Sequence, residues 1–353
     1  MVITGVAMDS IYRLIENNLS EDGRLPLNFN ILRIAQGEDY PPPEDDEDRE
    51  FADGVRQGEF DAVAVRLPKE IRQHPLVNFR IAVVLKKAVE SYAAKTGNTG
   101  MSVKEVKKAE RSIASAKTLI DNYEAITIAD RVLSHMIHIK TDRLEIAKFG
   151  RYLAKESDSV MCVKLGIAMV GRFGDINDSE LLETLGRCEE FTHFSVLALQ
   201  GILKFTGDFV DAAMELIRVT RGWGKVACIL ALPDEITNAE HRKYLLSHGA
   251  EVSVGAGHVA VEVAIKSGMG SYLLDAVDNG TKLSDEESKG ACDIISGLFQ
   301  AEPVKALDSF NELPDVGTVL SSFAVCVKNG LLEDERTGEI IGKLEDRNFI
   351  KKS

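Results

Sequence analysis

Glu190 and His193 have the strongest claim to chemistry in this chain, because a helix would set this E-x-x-H pair on one face. A carboxylate and an imidazole at that spacing form a third of the ligand set used by carboxylate-bridged di-metal bundles. Such a site needs a second E-x-x-H and two further carboxylates, and no second E-x-x-H occurs. His135 and His138 offer another pair of imidazoles, with Asp142 or Glu145 nearby in sequence. The expectation is no metal and no cofactor. His135, His138, Glu190 and His193 are the residues that a metal-dependent activity would have to use.

Two glycine-containing stretches resemble phosphate-binding loops. Gly255-Ala256-Gly257-His258-Val259-Ala260 fits G-x-G-x-x-A and follows a short apolar run, Glu251 to Val254, that reads as a strand. The fingerprint requires a surrounding βαβ unit, and the flanks read as helices. Gly222-Trp223-Gly224-Lys225 lacks the four-residue spacer of a phosphate loop, and Val226 replaces the hydroxyl that would hold magnesium. Neither predicts nucleotide binding.

The five cysteines are widely spaced and include no C-x-x-C, which argues against a disulfide framework or a structural zinc site. Cys188 lies beside Glu189 and Glu190, whose charges disfavour a thiolate, and no G-x-S-x-G elbow occurs. With no basic leader before the first apolar run, and none approaching a membrane span, the expected location is the cytoplasm.

A formal charge of -14 argues against a general affinity for nucleic acid or anionic membrane. Residues 1 to 60 hold 14 Asp and Glu against five Arg and no Lys. This region, 1–75, contains a loop in which three prolines precede an acidic run, residues 38–53. Around it, Asp9 to Asn18 reads as a short helix, while Asn28 to Ala35 and Asp61 to Leu67 read as strands. A small acidic region of irregular or mixed α/β character is therefore expected at the N-terminus.

Residues 76–353 read differently. No proline separates Pro75 from Pro233, and apolar residues recur at three- and four-residue steps. Successive helices are predicted over Val77–Ala94, Ser102–Asn122, Ala125–Ile139, Asp142–Ala154, Ser159–Arg172, Asp178–Leu185, Glu190–Lys204, Phe209–Val219 and Trp223–Leu232. Further helices are predicted near Asp285–Phe299, Thr318–Asn329 and Glu339–Arg347. Gly150, Gly174 and Gly207 are read as helix ends or turns.

Phe173-Gly174-Asp175 recurs as Thr206-Gly207-Asp208, and Asp178 recurs as Asp211, each 33 positions later. The apolar helices that follow repeat a small-and-aliphatic pattern: CVKLGIAMV, SVLALQGIL and ACILAL. Gly166, Ala198 and Gly201 are small enough for helices to approach closely. On these turns and helices, residues 142–246 resemble HEAT and armadillo-type repeats. The resemblance implies an all-α fold, an α-solenoid of HEAT-like hairpins, and no activity. HEAT-repeat metal hydroxylases share this layout, but the chain has no His-Glu dipeptide. LLSHGAEVS resembles the end of an ankyrin repeat without that family's T-P-L-H core, so a helical hairpin with a longer glycine-containing loop is expected there.

Lys104, Lys107, Lys108 and Arg111 fall on one stripe of the Ser102 helix, opposite Val106, Ala109, Ile113 and Ile120. HEAT-like DNA-alkylation-repair proteins use basic surfaces, which keeps a nucleic acid role in view. The acidic total and the scarcity of aromatics oppose it. A solvated face is expected, with docking of the acidic N-terminal loop as one explanation.

The reading that follows is a non-catalytic cytoplasmic interaction or scaffold module binding a protein or peptide partner through a solenoid groove. At a 32-residue register Phe191 aligns with Trp223, and His193 with Lys225. These four, with Arg187 and Arg221 at the preceding turns, are the expected contact surface. The alternatives are a metal-dependent enzyme using the His and Glu residues above, and a HEAT-like nucleic acid binding or repair protein.

Overall fold

The computed structural model describes residues 10–27, 29–34, 75–97, 100–300, 313 and 315–350. Every regular element among them is helical. The chain divides into two compact units, Met1–Ala212 and Ala213–Ser353.

In the first unit the helices are α1 (Ile11–Asn18), α2 (Ile31–Ile34), α3 (Pro75–Gly97), α4 (Val103–Ile120), α5 (Ala125–His138), α6 (Arg143–Glu156), α7 (Val160–Phe173), α8 (Ser179–Gly186) and α9 (Glu189–Leu203). Their starts follow from local chemistry. Ser102 and Glu105 form a capping box at α4, the Asp142 side chain accepts from the Glu145 amide at α6, and Ser159 accepts from the Cys162 amide at α7. Apolar residues at helical spacing then face one another. Ile81, Leu85 and Val89 of α3 meet Ile113 and Ile120 of α4, Val132 and Met136 of α5, Phe149 and Leu153 of α6, and Leu165 and Met169 of α7 in one buried cluster.

Small residues set the closest helix contacts. A Cβ built on Gly166 would lie 2.6 Å from the Ala154 nitrogen and 2.7 Å from the Gly150 oxygen, so α6 and α7 touch backbone to backbone. On the other side of α7, a Cβ on Gly201 would lie 2.4 Å from the Gly171 oxygen, which brings α9 equally close. Gly150 is thus an interior helix residue at a packing contact, not the helix end that its type suggests. The predicted close approach at Gly166 and Gly201 is present.

The division between units falls within α10 (Phe209–Val219). The second unit continues with α11 (Gly222–Ala231), α12 (Ala239–His248), α13 (Ala260–Ser267), α14 (Met269–Asn279), α15 (Asp285–Gln300), α16 (Val316–Lys328) and α17 (Thr337–Asp346). Among the described residues after Pro233 the regular elements are therefore helical as well, and a loop from Gly249 to Val259 joins α12 to α13. None of the described helices is long and apolar enough to cross a membrane.

Among its described residues the Asn28–Ala35 stretch contains α2 and no strand: the Ile34 amide donates to the Asn30 carbonyl at 3.0 Å, a helical i to i−4 bond. So short an apolar run carries no period that separates strand from helix. The expected strand Glu251–Val254 is a turn, closed by the Val252 amide on Ala250 O at 3.0 Å and the Gly255 amide on Val252 O at 3.1 Å. Asp61–Leu67 and the Pro/acid-rich loop 38–53 lie outside the described residues.

The two sequence-matched turns also differ in backbone. Gly174 is extended, and Asp175 caps the short 3-10 helix Ile176–Asp178. Gly207 has φ +86°, the left-handed region that glycine adopts at no steric cost. Identical Gly-Asp pairs therefore occupy different conformations.

Candidate functional site

The E-x-x-H helix, α9, packs against α7 and α8 in the first unit. Glu189 and Glu190 occupy the first turn of α9, where the helix dipole favours negative charge. Glu190 is not free to ligate a metal, because its carboxylate is ion-paired with the Lys164 ammonium of α7. Their side chains are 3% and 0% exposed. The same ammonium sits 5.8 Å from the centroid of the Phe194 ring. His193, one turn from Glu190, is partly covered, and burial together with the Lys164 charge pushes its pKa down to about 4. Its imidazole is neutral at ordinary pH, but the carboxylate beside it is already neutralised.

His135 and His138 are near the end of α5. His135 stands edge-on to Phe79 at 5.7 Å between ring centroids, and His138 is exposed. Asp142 caps α6, and Glu145 pairs with Lys148 at 2.7 Å. No group of three His, Cys, Asp or Glu side chains able to hold a metal ion occurs among the described residues.

The residues expected to form the contact surface are placed mostly inside. Phe191 is fully buried and Trp223 is 3% exposed, edge-on to the His258 ring at 4.8 Å between centroids. Lys225 is buried, and its ammonium donates to the carbonyls of His248 at 2.8 Å and Glu251 at 3.0 Å. It thereby closes the C-terminal end of α12, where a cation is favoured. Arg187 donates to the Gly23 carbonyl at 2.6 Å and ties the segment after α1 to the α8–α9 turn. Arg221 is the N-cap residue of α11 and is partly exposed, as is His193. Phe191, Trp223 and Lys225 therefore present no side chain to a partner: amphipathic register identified equivalent positions, and these face the core.

The glycine loops resolve similarly. Gly255 has φ +105° and leads into the 3-10 turn Ala256–His258 before α13, with no strand ahead of it. All five cysteines are buried. Burial pushes the Cys162 thiol up to about 11 and the Cys292 thiol up to about 12. Raised in this way, neither Cys162 nor Cys292 is a thiolate at neutral pH.

What the first unit does present is a cleft of about 530 Å³ between the last turns of α3 and the solvent face of α6. Its floor is aromatic. Tyr92 and Tyr152 lie 4.8 Å apart between centroids, tilted by 32°, and Tyr92 also meets the buried Phe149 at 5.6 Å. Lys148, Arg151 and Lys155 project along one stripe of α6 beside the rings, with Glu145 and Glu156 on the same helix. Arg151 is anchored by Asp178, through Nε at 2.5 Å and Nη2 at 2.8 Å, and by Asp175 at 3.2 Å. The Lys155 ammonium lies 5.2 Å from the centroid of the Tyr12 ring. Tyr92 and Tyr152 are 60 residues apart on different helices, and only tertiary packing joins them.

In the second unit a cleft of about 570 Å³ is bounded by Lys243, Tyr272, Ser284 and Glu287. Burial alone would raise the Glu287 carboxyl. Hydrogen bonds from Tyr272 and Ser284, and the nearby Lys243, bring it instead down to about 2. Because Glu287 accepts from the Ser284 amide at 2.7 Å while its own amide donates to the Ser284 hydroxyl at 3.3 Å, this is a capping box for α15.

No protein-family model matches this chain, and no curated protein or solved structure gives a significant match to it.

Proposed function

We propose that this chain is a cytoplasmic, non-catalytic interaction module of HEAT-like hairpins that binds a protein or peptide partner. The observation that carries the reading is the accessible tyrosine cleft of α3 and α6, with Lys155 at its rim beside the Lys148–Glu145 pair. Support for the repeat comes from α6, α7, α8 and α9, where consecutive second helices, α7 and α9, pack through Gly171, Ala198 and Gly201. Stacked hairpins of this kind display their first helices side by side, which is how such proteins build binding surfaces. The partner is an extended peptide carrying a large apolar side chain next to an acidic one.

The contact surface moves accordingly from the Phe191 and Trp223 columns to Tyr92, Tyr152, Lys148 and Lys155. A metal-dependent reading loses its best ligand to Lys164. To test the proposal, random peptides displayed on phage are selected against the purified chain, and the winners are measured by fluorescence anisotropy on the native chain and on Tyr152→Ala. Selection of apolar-acidic peptides whose binding falls at least tenfold in Tyr152→Ala supports it. Peptides without a shared apolar-acidic pattern, or equal binding to both proteins, would overturn it.

A further inference from the structure

Charge is segregated along this acidic chain. Residues 75–172 contain 17 Lys and Arg against 10 Asp and Glu, a net of +7 within a total of -14. The centre of this excess is α4. Lys104, Lys107, Lys108 and Arg111 are all exposed, while Ala109, Ile113, Ala116 and Ile120 bury the opposite face. Among the described residues none of the four cations is in an ion pair, although other cations nearby are: Lys95 with Glu110, Lys117 with Asp158 and Lys148 with Glu145. Four like charges within about 10 Å of helix repel one another, so the stripe is stabilised by an anionic partner.

We propose that the α4 stripe docks the chain's own acidic stretch Glu44–Glu50, making the stripe an intramolecular, salt-sensitive contact that a competing acidic partner must displace. Glu44-Asp45-Asp46-Glu47-Asp48-Arg49-Glu50 sets six carboxylates against one guanidinium, a match in sign for the stripe. The tether is long enough. Lys95 near the end of α3 pairs with Glu110 of α4 at 2.9 Å, so the stripe lies near the far end of α3, about 34 Å of helix from Pro75. The 25 residues from Glu50 to Pro75 span up to about 80 Å. A tether of this length raises the effective concentration of the acidic stretch to the order of millimolar. A free peptide of the same sequence competes poorly against that.

The test uses the full chain and a labelled peptide of residues 37–54, with a second full chain in which E44Q, D45N, D46N, E47Q, D48N and E50Q remove the acidic charge. The neutralised chain is expected to bind the peptide at low salt, with affinity falling steeply as salt rises, and the native chain at least tenfold more weakly. Adding K104E, K107E, K108E and R111E to the neutralised chain should abolish binding, with circular dichroism confirming the helices. If that variant unfolds, K107Q with K108Q replaces it, and a weaker affinity with a shallower salt slope is the expected reading. Equal binding by native and neutralised chains, or none by the neutralised chain, overturns the proposal. So does retention of a single-stranded oligonucleotide equally by both chains, since the face would then be open to nucleic acid in the native state.

Discussion

The Lys164 ammonium and the Glu190 carboxylate are paired inside the contact of α7 with α9, with 0% and 3% of their side chains exposed. Two charges taken out of water at a helix–helix contact stabilise little as a pair, yet each is costly without the other. Lys164→Met alone should therefore destabilise the chain by about 3 to 5 kcal/mol. Lys164→Met with Glu190→Leu should recover most of that loss. Urea denaturation followed by circular dichroism compares the three proteins, and additive losses would show that the charges do not act as a pair.

The glycines of the α6–α7 and α7–α9 contacts make a second prediction. A Cβ on Gly166 or Gly201 meets backbone atoms that cannot swing aside, so Gly166→Ala and Gly201→Ala should each cost about 1 to 3 kcal/mol. Gly97→Ala meets nothing within 4 Å and should be near neutral. Thermal melts that rank Gly97→Ala with the other two would mean that the backbone approach is not limiting.

Lys225 closes α12 from within the second unit. Lys225→Met keeps the stem and removes the two hydrogen bonds to carbonyl oxygens, a loss of about 2 kcal/mol. Trp223, the sole tryptophan, lies two residues away and reports the change by fluorescence during unfolding. Destabilisation without loss of selected-peptide binding at 25 °C separates a structural role from a contact role.

Acid sensitivity has two expected windows. The folded pKa of His193, about 4, is below its ordinary 6.5, so the unfolded chain binds more protons between those values and stability falls as pH drops through them. His193→Gln should flatten that part of the profile. Glu287, at about 2 against 4.5, contributes stability that is complete above pH 4.5 and is lost as pH falls toward 2. Glu287→Gln should therefore be less stable than the native chain at neutral pH and converge with it in acid, as read by denaturation midpoints at fixed pH.

Much of the helix pattern was legible from sequence because its causes are local. Phe209–Val219 begins and ends where the periodicity places it, and Asp142 caps α6 as its type suggests. Gly166 and Gly201 were readable as close-packing positions, while Gly150, with the same side chain, passed for a helix end. Conformation at a glycine depends on neighbours that one stretch of sequence does not contain, as the unlike backbones of Gly174 and Gly207 show.

Function was less legible. Glu190 and His193 have the types and spacing of ligands, but a lysine 26 residues earlier neutralises the carboxylate. Trp223 and Lys225 have the types of a contact surface, but both are buried. Sequence alone determined most helices between Val77 and Leu232, the Asp142 cap and the uneven charge, because each arises from residues within a turn or two or from simple composition. Tertiary structure alone decided which faces are covered. It buried the Phe191 and Trp223 columns, joined Lys164 to Glu190, and left Tyr92 beside Tyr152 at the surface, because burial and pairing depend on which helices meet.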